Sequence, residues 1–186
     1  ARWRLDGRKS GVVAAPWATH LVVSAVCDGE VVVVCVDAHS PGLHRRDLRT
    51  LDGGVAAELG FDAVPVTADA LLGGAALLER LLDTATLAAC AEALGVLQRL
   101  MADTTEHLRT RRQFGQPLAA FQVLQHRLAD MHIHRVQAEA LTWAVAEGFE
   151  AASPAERALA VSSVQLAVDR ACRSVGKKRM PSTRSL

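Results

Sequence analysis

Residues 109–117 read RTRRQFGQP, and Gln122 follows at the start of the next amphipathic run. These residue types suit one kind of ligand. Arg111 can grip a phosphate through the two-pronged face of its guanidinium. Gln113 and Gln122 can hydrogen-bond the edge of a polar heterocycle, and Phe114 can pack against its ring. A helix that begins after such a turn offers free N–H groups, which favour anions. The cluster therefore suits a phosphate-bearing aromatic ligand held at a helix–helix corner. A plainer reading stays open: the arginines and glutamines cap the corner, and Phe114 belongs to the core.

Other side chains carry less. Asp130 and His134 are four residues apart and share a helix face, but His132 and His134 point about 200° apart, so no metal site is expected from His126, His132 and His134. The DGG at 52–54 is too short to cradle phosphate and reads as a turn. Four cysteines at 27, 35, 90 and 172 show no C-x-x-C spacing. They are expected to be free thiols in a reducing, cytoplasmic compartment.

The elements that must hold the cluster follow from periodicity. Up to residue 74 short β-branched runs alternate with turn signals. THLVVSAV and EVVVVCVD read as strands joined by a Cys27-Asp28-Gly29 turn, and VAAELGF as a further strand. VPVTADALLGG reads as an exit loop. From 75 the pattern is helical: Leu87, Cys90, Leu94, Leu97, Met101 and Leu108 mark one face of a helix to about residue 110. FGQP interrupts it. A second helix carries Phe121, Leu124, Leu128 and Met131 and ends near Gly148. Ser153-Pro154-Ala155-Glu156 fits a capping box opening a third helix to about residue 175. The expected architecture is α+β: a partial antiparallel β-domain over 1–74, an antiparallel bundle of three long helices over 75–176, and a disordered or aberrant tail over 177–186.

Bulk properties narrow the function. The 186 residues carry 21 Lys+Arg against 20 Asp+Glu, so no charge asymmetry asks for nucleic acid or an anionic membrane. Aromatics are only 4% and tyrosine is absent, which leaves no stacking platform for single strands. No run reaches the ~18 uninterrupted apolar residues of a membrane span. No leader-like apolar segment opens the chain.

RRQFGQPLAAFQVLQHRLADM (111–131) resembles the acyl-CoA dehydrogenase family. There a long helix ends in R-x-Q-F-G or similar, followed by P-x-x-x-F-Q-x-x-Q-H-x-L-A-D-M. LLERLLDTATLAACAEALG (77–95) is similar to the preceding helix of that family, and WRLDGRKSGVVAAPWATHLVVSAV to its middle β-domain. The resemblance implies FAD-dependent α,β-dehydrogenation of an acyl-CoA thioester in a dimer or tetramer. Arg111 matches the arginine that reaches the FAD pyrophosphate of a neighbouring subunit, Gln122 a glutamine that also contacts FAD, and Gln113 and Phe114 the positions that flank the cofactor.

The departures from the family pattern matter equally. Gly11-Val12-Val13 stands where the family carries flavin-contacting Trp-Ile-Thr, and His107 replaces a tyrosine. The first helical domain, the glycine-rich loop after the third helix and the catalytic glutamate beyond it have no counterpart. Some members place the base on the first helix of the C-terminal domain, a position that falls at Thr84; Glu79 is a weak candidate nearby, with a surface ion pair as its plainer role. The alternative expectation is a non-catalytic partner subunit that lends the clamp residues to a complete chain. GKKR at 176–179 is also what Gly-Gln-Glu-Ala becomes after loss of one base, so the tail is expected to be out-of-frame sequence.

Overall fold

The structure, a computed structural model, describes residues 2–177. The chain divides into two compact units, 1–80 and 81–186, with the boundary inside a helix. The last nine residues of the tail, 178–186, lie outside the described residues.

The first unit is built from two antiparallel sheets. In one, β5 (Val55–Thr67) lies between β1 (Arg2–Val13) and β4 (Leu43–Arg49). In the other, β3 (Glu30–Asp37) lies between β2 (His20–Cys27) and β6 (Leu71–Gly74). The β2–β3 hairpin turns on Asp28 and Gly29, with φ of 52° and 85°. Two left-handed residues give the turn twist that matches the strands. Alternation then sends Leu21 and Val23 inward, onto Val34, Val36, Leu59, Phe61, Val64 and Val66.

Three strands are new relative to the sequence reading. β1 is interrupted by register shifts between Leu5 and Gly7 and between Lys9 and Val12, so its period is lost. At the first shift Asp6 accepts the Ala63 N–H at 2.7 Å. β4 is a charged edge strand in which Arg46 pairs with Glu58 at 2.8 Å and Arg45 with Asp47 at 2.8 Å. The stretch expected as an exit loop is instead the end of β5 plus β6. A glycine is required at 42, where a Cβ would stand 2.1 Å from the Asp62 carbonyl oxygen.

The helices follow the expected pattern closely. They are α1 (Ala75–Thr110), α2 (Gln122–Gly148) and α3 (Pro154–Lys177). Cys90, Leu97 and Met101 from α1, Met131 and Ala138 from α2, and Val164, Val168, Ala171 and Val175 from α3 form one core. Burial pushes the Cys90 and Cys172 thiols up. The capping box is formed in both directions: Ser153 N–H donates to Glu156 at 3.0 Å, and Glu156 N–H to Ser153 Oγ at 3.4 Å. Arg157, buried on α3, donates to Asp83 of α1 at 3.2 Å and lies 5.5 Å from the Phe149 ring. By length and composition α1 alone among the described helices is apolar enough to cross a membrane. Four of its residues, Cys90, Leu97, Met101 and Leu108, are buried.

Candidate functional site

FGQP does not simply break the helix. Residues 112–117 form a miniature hairpin, β7 (Arg112–Gln113) against β8 (Gln116–Pro117). Its tip is Phe114 and Gly115, with φ of 54° and 80°. Glycine adopts that region freely; for phenylalanine it costs roughly 1–2 kcal/mol. The base of the hairpin is fixed by Arg111 N–H to His107 O at 2.9 Å and Leu118 N–H to Arg111 O at 2.9 Å. Arg112 braces the tip by donating to Gly115 O at 3.0 Å.

The hairpin leans on the start of α2. Buried Leu118 anchors a single 3-10 turn, Leu118–Ala120, and Gln125 closes it by donating to Ala119 O at 2.8 Å. Phe114 meets Phe121 edge to face, ring centroids 6.1 Å apart. Phe121 is the residue from which α2 begins, and its side chain caps nothing. The opening N–H groups of α2 therefore lack a side-chain cap.

Four residues singled out in the sequence thus lie on this hairpin and on the helix start that follows it. Arg111, Gln113, Phe114 and Gln122 are all exposed there. The alternative in which Phe114 belongs to the core is overturned: its side chain is 88% exposed. Arg111 has no side-chain hydrogen bond or ion pair among the described residues, whereas Arg112 donates one bond to the tip. The corner offers one unspent guanidinium, two amides, one exposed ring and a bare helix N-terminus. That set suits an anionic group joined to a planar ring.

The sequence missed the brace made by Arg112 and the closure made by Gln125. The only available signal for the first was Gly115, since a two-residue turn ending in glycine marks a hairpin. Glu79 is exposed on the opening turns of α1, within the unit of residues 1–80. No group of three metal-ligating side chains occurs among the described residues.

Residues 73–180 match the acyl-CoA dehydrogenase C-terminal domain. The chain is 34% identical over 149 residues to the acyl-CoA dehydrogenase FadE27 of Mycobacterium tuberculosis, covering 78% of this chain and 40% of that protein. It is 30% identical over 156 residues to the human mitochondrial short-chain specific acyl-CoA dehydrogenase, covering 77% of this chain and 38% of that one. The crystal structure of the ChsE4–ChsE5 complex of M. tuberculosis superposes with a TM-score of 0.85 at 29% identity, over 94% of this chain and 47% of that chain. The chain spans less than half the length of each.

Proposed function

The chain belongs to the acyl-CoA dehydrogenase family, and from that premise we propose that it serves FAD-dependent α,β-dehydrogenation of an acyl-CoA thioester. Its own part is to hold FAD. Arg111 takes the pyrophosphate, Gln122 and the bare start of α2 lie beside it, and Gln113 and Phe114 flank the cofactor. The chemistry that bound FAD supplies is acceptance of the β-hydride as the α-proton leaves to a base. The observation that carries the reading is the contrast between two adjacent arginines. Arg112 donates to Gly115 O, while Arg111, equally exposed, has no side-chain partner among the described residues. All four residues stand on an exposed corner, which supports a clamp for the flavin of a neighbouring subunit.

A second reading is favoured by one feature of β1. Gly11 and Val13 occupy positions where the family sequence carries a flavin-contacting tryptophan and threonine, and Val13 is 77% exposed with nothing to offer a ligand. In this reading the chain lends its clamp to another, complete chain, as in an assembly of two different chains such as ChsE4–ChsE5. The purified chain, titrated with FAD and followed by flavin fluorescence, tests the first reading. Quenching with saturation supports the first reading, and no binding at high micromolar FAD ends it. Bleaching of the flavin by an added acyl-CoA then supports catalysis. Bleaching only after a complete family member is added supports the partner role.

A further inference from the structure

Arg111 does not stand alone on its side of α1. Its N–H donates to His107 O at 2.9 Å, the bond that a continuing helix would make. Arg111 therefore stands one turn beyond His107 on the same face, with about 5–6 Å between their Cβ atoms. Helical side chains lean back over the turn before them, so the guanidinium and the imidazole address one patch of surface. Both side chains are exposed, and neither has a hydrogen bond or ion pair among the described residues.

The other charged groups nearby are engaged or stand on other faces. Asp103, one turn before His107, accepts from Arg99 at 2.9 and 3.1 Å. Arg109 lies about 200° around the helix from His107. With Glu106 it lines a cavity closed by His132 and Arg135 of α2. The last turns of α3 approach α1 at Val96 and Leu100 through Cys172 and Gly176. The charges there, Asp169 and Arg173, pair with each other at 2.7 Å. On the hairpin Arg112 donates to Gly115 O. His126 and Arg127 are exposed on the opening turns of α2.

A pyrophosphate diester carries two negative charges, and Arg111 supplies one positive charge. The carbonyl end of α1 opposes an anion here, because a helix C-terminus is the negative pole of its dipole. The same pole favours a protonated imidazole in the last turn, where His107 lies. Such an imidazole donates a charge-assisted bond to a phosphate oxygen. Histidine is also the side chain that ordinarily takes up its proton between about pH 5 and 8. We infer that His107 is the second cation on the FAD pyrophosphate, and that its protonation makes this chain's hold on the cofactor depend on pH. The inference rests on the reading that this chain holds FAD. It is particular to this chain, because tyrosine, the residue of the family pattern at this position, carries no positive charge at any pH.

Proton and cofactor then favour each other's binding. Isothermal titration of FAD into the 186-residue chain should show a dissociation constant that rises about tenfold from about pH 5.5 to pH 8. The FAD pyrophosphate keeps both charges throughout that range. At about pH 6.5, titrations in two buffers of different ionisation enthalpy should show proton uptake on binding. His107→Gln should abolish the uptake and the slope, with affinity at the alkaline end and helical circular dichroism unchanged. His126→Gln should keep both uptake and slope, and Arg111→Ala should weaken binding at every pH. A slope that survives His107→Gln overturns the inference. So does a slope that His126→Gln removes, or FAD binding that ignores pH; each of these leaves Arg111 in its role. No FAD binding at any pH ends the cofactor reading for this chain, and this inference with it.

Discussion

At the scale of the residue, function at the corner comes from what each side chain is not already doing. Arg111→Ala removes a charge-assisted contact worth roughly 1.5–3 kcal/mol, so FAD affinity should fall about tenfold or more. Arg112→Ala should cost much less, because that guanidinium only steadies the hairpin tip. Isothermal titration of both variants decides, and equal losses would sink the assignment. Phe114 adds a second contrast. Its left-handed backbone costs stability, and an 88% exposed ring recovers little through burial. Phe114→Gly should therefore raise the unfolding midpoint of the helical unit while weakening FAD binding. A variant that loses both would show that the ring is a packing residue. Residue types and spacing single out Arg111, Gln113 and Gln122 as side chains able to hold such a ligand, and the structure leaves all three exposed, but capping stays an open reading on types alone. They were not enough to place Phe114, since phenylalanine seldom adopts positive φ and nothing in its identity announces the tip of a hairpin.

At the scale of the element, local chemistry sets where helices start and what ties them. Glu156 has its carboxyl held below its ordinary value, first by the Ser153 hydroxyl and then by the Ser153 N–H. A lowered folded value means that the stabilisation is present above the unfolded carboxylate's titration and lost as pH falls through the folded one. Stability should therefore decline below about pH 4.5, and Glu156→Gln should flatten that decline. Urea midpoints at several pH values measure it. The buried Arg157 predicts a larger effect. Asp83→Ala strands its charge and should cost about 3 kcal/mol, while the double change Asp83→Leu with Arg157→Met should cost far less. Equal destabilisation by the two would mean that burial of the cation is not the cause. The same elements explain what was legible. The helices announce themselves through a sustained period and the Ser153–Glu156 box. β4 does not, because Arg45, Arg46, Asp47 and Arg49 hide any alternation on an exposed edge. β5 runs past the expected VAAELGF to Thr67, and Pro65 is tolerated there beside the irregular stretch of β1 it pairs with.

At the scale of the molecule, the 1–80 and 81–186 units each bury their own core. Separate cores unfold as one only when strongly coupled. In a Trp143→Phe variant the remaining Trp3 and Trp17 report on the β unit, while helical circular dichroism reports mainly on α1, α2 and α3. The two signals should give different urea midpoints, and coincident curves would refute independent cores. The late closure of the α2 core also has a consequence during synthesis. The helix is finished at Gly148, but its inner face is not fully covered until Val175 of α3 has been made, 27 residues later. At about 5–20 residues per second that interval is on the order of 1–5 s. For those seconds the inner face of α2 has only α1 to cover it, and there a holding chaperone has the most to offer.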